Sequence, residues 1–149
     1  MKTLKIALAG DHAGFERKNE IREFLHGKVA EIKDFGCFST ESCDYPDYAH
    51  PLATAVENGE FDFGITFCGT GNGINMALNK HQGIRSALCW NVEIARLARQ
   101  HNNANALAVP ARFVSEEESI EILQAFLTTA FEGGRHERRI EKIALPNGN

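Results

Sequence analysis

"DFGITFCGTGNGINMALNKH", residues 62 to 81, decides the architecture. It opens as a short apolar run ending near Cys68, passes through glycines at 69, 71 and 73, and turns at once into an amphipathic stretch. That order predicts a strand over 62–69 and a helix over 72–81, joined by a loop of glycine and threonine. A strand that enters a helix this way aims several backbone N–H groups at one spot, where the helix N-terminus adds partial positive charge. The natural occupant of that spot is an anion or a developing oxyanion.

The same alternation of short apolar and longer amphipathic segments continues on either side. Strands are expected over 4–10, 29–36, 84–90 and 104–110, and helices over 14–27, 47–60, 91–102 and 115–134. The first helix presents Phe15, Ile21, Phe24 and Leu25 on its apolar face. Asp47 is placed to cap the second helix and Gly59 to end it, with Pro51 weakening it by a few residues; Ser115 and Glu118 fit a capping box. The segment 37–46 reads as a loop and the tail after 144 as frayed. Five strands alternating with helices imply a parallel sheet covered on both faces, a three-layer α/β/α sandwich. With 149 residues and no linker or repeat, residues 1–149 read as one domain.

Composition narrows the function classes. The formal net charge of -4, from 20 acidic and 16 basic side chains, leaves no basic excess to neutralise a nucleic-acid backbone. No stretch has the length of a membrane span, and the N-terminal apolar run lacks a small-residue cleavage site, so a cytoplasmic protein is expected. Cys37, Cys43, Cys68 and Cys89 form no CxxC pair and no zinc-finger spacing with histidine, which points to reduced thiols and no metal. "GTGNGI" is GxGxGx after the third strand, not GxGxxG after the first, and no GK[ST] follows; nucleotide binding therefore fits poorly.

Cys68 is the residue that needs a reason. Cysteine is a common buried strand residue, so packing alone would account for it. Facing a helix N-terminus, however, a thiol gives up its proton more easily, and the thiolate can act as nucleophile or as base. Ligands of open parallel sheets bind beyond the C-terminal strand ends, so polar residues assigned to that end are the candidates. They are Asp11 and His12, Asp44 and Tyr45, Cys68 and Thr70, His101 and Asn102, Arg112, and the run "GGRHERR" with Arg135, His136, Arg138 and Arg139. Arg135 and Arg139 are four apart and share a helical face. A phosphorylated small molecule suits the set, with arginines on the phosphate and the thiol toward the reactive carbons. Cys37, Cys43 and Cys89 are read as structural.

The runs "AGDHAGF" (9–15), "DYPDYA" (44–49), "CGTGNGI" (68–74), "NK" (79–80), "GIR" (83–85), "ARQHNNAN" (98–105) and "EGGRHERR" (132–139) span nearly the whole chain. Through them the chain resembles the type B ribose-5-phosphate isomerases, in the wider family that includes galactose- and allose-6-phosphate isomerases. The resemblance implies a Rossmann-like domain working as a homodimer, sometimes paired into a tetramer, that interconverts D-ribose 5-phosphate and D-ribulose 5-phosphate without metal or cofactor. It implies Cys68 as the base between C2 and C1, and Thr70 with the amides of Gly69, Gly71, Asn72 and Gly73 as the enediolate cradle. It assigns ring opening to His101 with Asp11 nearby, and phosphate binding to His12, Arg135 and Arg139, with Asn102 and Arg112 completing the site. His101, Asn102 and Arg112 are expected from a partner chain. One branch of the family uses a glutamate in the glycine loop, with serine for cysteine; here Cys68 is present and Ile74 occupies the glutamate position. An allose-6-phosphate isomerase and a non-catalytic sugar-phosphate-binding module are the alternatives.

Overall fold

Five parallel strands run in the order β2-β1-β3-β5-β4 in a computed structural model that describes residues 1–146. They are β1 (Lys5–Gly10), β2 (Glu31–Asp34), β3 (Phe63–Cys68), β4 (Ser86–Leu88) and β5 (Ala106–Pro110). The connecting helices are α1 (Phe15–Leu25), α2 (Pro46–Glu57), α3 (Asn72–Leu78) and α4 (Val92–Asn102), with α5 (Glu116–Thr128) and α6 (Arg135–Glu141) after the last strand. The layered α/β arrangement is the expected one, and α6 is a separate element after it.

Strand periodicity divides two unequal cores. Ile6, Leu8, Ile65, Phe67, Leu107 and Val109 pack with Ile21 and Leu25 of α1, Ala95 and Ala98 of α4, and Ile122, Leu123 and Phe126 of α5. The alternate positions Ala7, Ala9, Cys68, Ala106 and Ala108 face Leu52, Ala53 and Val56 of α2 and Ile74 and Leu78 of α3. Near-continuous apolar strands are what a sheet buried on both faces requires. One face is built from large side chains and the other mostly from alanine, and Cys68 ends a strand on the alanine face.

Several local expectations change. α2 starts at Pro46, whose missing N–H is harmless in a first turn, so Tyr45 takes the cap position and Asp47 lies inside the helix. The helix continues through Pro51 and ends at Glu57, before Gly59. β2 and β4 are shorter than expected. α5 keeps the Ser115–Glu118 capping box but stops at Thr128, well short of 134. There the Thr128 and Thr129 hydroxyls donate to the carbonyls of Gln124 and Ala125, at 2.6 and 2.5 Å, and Thr129 turns extended. Gly133 and Gly134, at φ of +71° and +59°, then break the chain before α6. The frayed tail expected after 144 falls partly outside the described residues.

A buried cation holds each end of the sheet. Lys18 is fully buried, 2.8 Å from Asp34 Oδ1 and bonded to the carbonyl of Cys37, which joins α1 to the C-terminal end of β2. At the opposite end Arg99 donates to the carbonyls of Thr129 and Ala104 and to Asn103 Oδ1, and lies over the rings of Phe63 and Phe126.

Candidate active site

Strand order reverses between β1 and β3, because the chain goes from β1 to one side for β2 and returns to the other for β3. The C-terminal ends of β1 and β3 therefore flank the crevice in which sheets of this kind bind ligands. Cys68 is the last residue of β3, paired with Pro110 and 6% exposed. The carbonyls of Cys68 and Gly69 accept from the amides of Ala111 and Arg112, at 2.9 and 3.1 Å, which ties the loop to the end of β5. Gly71 turns the chain at φ +78°, a left-handed conformation that favours glycine, and α3 begins at the next residue. The Thr70 hydroxyl accepts from the Asn72 amide at 3.2 Å, and the first-turn amides of α3 have no carbonyl within the helix to bond.

Asp11, Tyr45 and Arg112 border this loop, and His12 follows Asp11 in the chain. Asp11, buried, accepts from the amides of Ala13 and Gly14 through Oδ1 at 2.9 and 3.1 Å, while its own amide donates to the Phe67 carbonyl. It thus shapes the turn into α1 as well as lying next to the crevice. His12 accepts from the Cys43 amide at Nδ1, 3.2 Å away, an arrangement that puts the proton of the neutral ring on Nε2. The Tyr45 ring lies against Gly73 so closely that a Cβ there would be 2.5 Å from Tyr45 Cζ, and any larger residue would have to push the ring aside. Arg112 lies over Gly69, where an added Cβ would be 3.2 Å from its guanidinium. Within one chain, Arg112 thus already borders the loop.

Other thiols are kept out of acid–base work. Burial, reinforced by Cys37, pushes the Cys43 thiol up to about 11, and burial alone pushes Cys89 up to about 12. Both stay protonated at neutral pH.

The remaining candidates lie at the other end of the sheet. A helix following a parallel strand runs back, so the C-terminus of α4 reaches the starts of the strands: Arg85, just before β4, donates to the Asn103 carbonyl, and Arg99 covers Phe63 at the start of β3. There the His101 ring stacks on His136 with centroids 4.3 Å apart, and their Nε2 atoms lie 3.8 and 3.6 Å from Glu132 Oε1. Arg135 and Arg139 are on α6, beside them. Asn102 borders a cavity of about 380 Å³ shared with Arg85, Ala104 and Ile143. The register pairs Gly64 with Ala106 and Cys68 with Pro110, so the two ends are separated by at least about 13 Å of strand. The expectation from residue order that every candidate falls at the C-terminal end of the sheet is thus corrected. Asp11, Tyr45, the 68–73 loop and Arg112 meet, with His12 next to Asp11 and turned to Cys43; His101, Asn102, Arg135 and Arg139 do not join them.

His136 is one of the candidates in the run "GGRHERR", whereas Glu132 is not among them. Their four-residue spacing was a visible signal, but the contact with His101 depends on α5 ending early. Burial among His101, Arg135 and Arg139 lowers the proton affinity of His136, burial being the main cause.

Comparison with known proteins supplies the remaining evidence. A family model described as Ribose/Galactose Isomerase matches residues 6–143. Ribose-5-phosphate isomerase B of Escherichia coli strain K12 is 47% identical over 139 residues, covering 93% of both chains. A putative sugar phosphate isomerase of Bacillus subtilis strain 168 is 44% identical, covering 95% of both. Among solved structures, a ribose 5-phosphate isomerase of Thermotoga maritima superimposes with a TM-score of 0.92 at 51% identity, over 95% of this chain and 97% of that one. Ribose-5-phosphate isomerase B of Mycoplasma genitalium, with bound ribulose-5-phosphate, gives 0.90 at 44% identity, over 96% and 95%.

Proposed function

The chain belongs to the ribose/galactose isomerase family, and from that premise we propose that it interconverts D-ribose 5-phosphate and D-ribulose 5-phosphate. The activity is that of an aldose–ketose isomerase of the pentose phosphate pathway, acting through an enediolate, and residues 1–149 form its one domain. The observation that carries the assignment of roles is the position of Cys68: the last residue of β3, at the strand-order reversal, on the lip of a loop that opens into α3.

In this reading the Cys68 thiolate takes the proton from C2 of the open-chain aldose and returns it to C1, while the hydroxyl proton relocates from O2 to O1. One base can serve both carbons because they are adjacent. The negative charge passing through the enediolate rests against Thr70 and the amides of residues 69 to 73, donors already in place before the charge develops. Asp11 and His12 face the sugar from β1, Tyr45 closes the loop from α2, and Arg112 adds a cation at Gly69.

Ring opening and part of phosphate binding need His101, Asn102, Arg135 and Arg139, which one chain holds at the wrong end. A homodimer resolves this: His101 of the partner subunit meets the Cys68 loop, and the two-fold operation makes a second such site. The partner's Arg135 and Arg139 accompany it. Four free thiols among the described residues suit a reducing compartment, and the cytoplasm is the proposed location. No described helix is long and apolar enough to cross a membrane.

The test is proton exchange. Incubated with the protein in heavy water, ribose 5-phosphate is expected to gain deuterium at C2, and a Cys68→Ala protein is expected to leave C2 protonated. Exchange at the wild-type rate in that variant would remove the thiol from the mechanism. Measuring kcat/KM for ribose 5-phosphate against allose 6-phosphate separates the five- and six-carbon readings.

A further inference from the structure

We propose that His101, Glu132 and His136 form a binding site for a transition-metal dication of the zinc or cobalt class. One ligand atom from each, Nε2 of both histidines and a carboxylate oxygen, lies within 4.8 Å of the others. Two imidazoles and one carboxylate make a three-ligand set that leaves a coordination position open, and this donor chemistry selects zinc, cobalt, nickel or copper over magnesium or calcium.

The scaffold brings these side chains together without the metal. Glu132 is fixed beside α4 by its amide, which donates to the Gln100 carbonyl at 3.0 Å. Arg99 binds the Thr129 carbonyl on one segment and the Ala104 carbonyl on the other, so the approach of the two is built into the fold. Both Nε2 atoms already face the same carboxylate oxygen, at 3.8 and 3.6 Å. Tetrahedral bonds of about 2.0–2.1 Å place ligand atoms about 3.3 Å apart, so each histidine–glutamate pair needs to close by about half an ångström or less, while the two imidazoles, stacked at 14° with their ligand atoms within 4.8 Å, must unstack until the ion lies in both ring planes. The larger rotation falls to His101 and Glu132, whose side chains are partly exposed, at 39% and 51%. His136 is buried, so its ring is the fixed member of the three. Arg135 and Arg139 oppose a cation, so binding is weaker than at a buried structural zinc site.

A second histidine–carboxylate group provides an internal control. On α2 and the loop after α3, His50 Nδ1 and His81 Nε2 are 2.7 Å apart and His81 Nδ1 is 3.1 Å from Glu57 Oε1. Those nitrogens are engaged with one another, and a metal would have to break the chain of bonds first.

Titration of the intact protein with cobalt(II) is the experiment. One equivalent is expected to give the visible absorption of a four- or five-coordinate ion, bleached by zinc(II). Glu132→Gln is expected to weaken binding by about ten- to a hundredfold and His101→Asn to abolish it, with unchanged circular dichroism, while His81→Ala binds as wild type. No spectral change at millimolar cobalt, a signal that survives both the Glu132 and His101 variants, or one lost in His81→Ala, would overturn the site. Its consequence for turnover rests on the isomerase reading: zinc should slow wild-type isomerisation and spare Glu132→Gln. Binding without slowing would keep the site and take His101 out of the reaction.

Discussion

The two ends of the sheet are built from different materials. At the C-terminal end the chemistry is mostly backbone: glycine-loop amides, the start of α3, one thiol and the turn set by Asp11. At the N-terminal end it is side chain: two stacked imidazoles, a carboxylate and the arginines of α6. The first end can steady an oxyanion but is poor in mobile charge, and the second is the reverse. Neither is complete alone. The lesson is that ends this unlike are complementary: in the proposed homodimer, a two-fold partner that brings opposite ends together would complete both halves at once.

The largest effect tests the backbone end. Cys68→Ala should lower kcat by about a thousandfold without changing the melting temperature appreciably, read as ribulose formation, because the loop amides remain but the base is gone. A loss of less than tenfold would contradict the division between the ends.

Mixing tests whether the two ends meet across subunits. Cys68→Ala and His101→Ala proteins should each be nearly inactive, yet unfolding and refolding them together should restore about a quarter of wild-type activity. That figure follows because half of the random dimers are mixed and each mixed dimer has one complete site of two. No recovery would mean that each chain uses its own His101.

Stability separates the two buried cations. Lys18→Met leaves the Asp34 carboxylate buried without its main partner, and should cost about 3–5 kcal/mol. Arg99→Met strands carbonyls and an amide oxygen rather than a charge, and should cost about 2 kcal/mol. Urea unfolding of both variants gives the order, and the reverse order would show that the α4 end carries more of the fold than the α1 end.

Acid gives the smallest and most local effect. His136 binds its proton less readily folded than unfolded, so the unfolded state takes up more protons as pH falls below the ordinary histidine value of 6.5. Its contribution is intact above that value and is lost on acidification. Protection factors of α6 amides, corrected for the intrinsic exchange rate at each pH, should therefore fall below about pH 6.5 more than those of β3, and His136→Gln should flatten the difference.

What could be read from the chain before folding follows from how local each signal is. The run from Phe63 to Leu78 carried its strand, its turn and its helix in consecutive residues, and the glycine loop was legible for that reason. Ser115 and Glu118 announced the start of α5 just as locally. Its end was not legible, because the Thr128 and Thr129 hydroxyls compete for carbonyls that a propensity count assigns to the helix. Asp47 looked like a cap, but the proline at 46 fits the first turn better. His101 was misplaced for a topological reason: its position at the end of a helix, not of a strand, puts it at the far edge. Lys18 could not have been found, since a lysine on an amphipathic helix reads as solvent-facing until Asp34 and the Cys37 carbonyl close over it.

The alanine face of the sheet has a bearing on substrate choice. Ala106 and Ala108 belong to the floor under Ile74 and Leu78, and α3 carries at its head the loop that would cradle the sugar. The thickness of that floor sets how closely α3 approaches the sheet, much as a shim sets the gap of a valve. On the proposed reading, enlarging Ala106 or Ala108 should lift the loop relative to Cys68 and change the room for one carbon more or one fewer, an adjustment made from underneath.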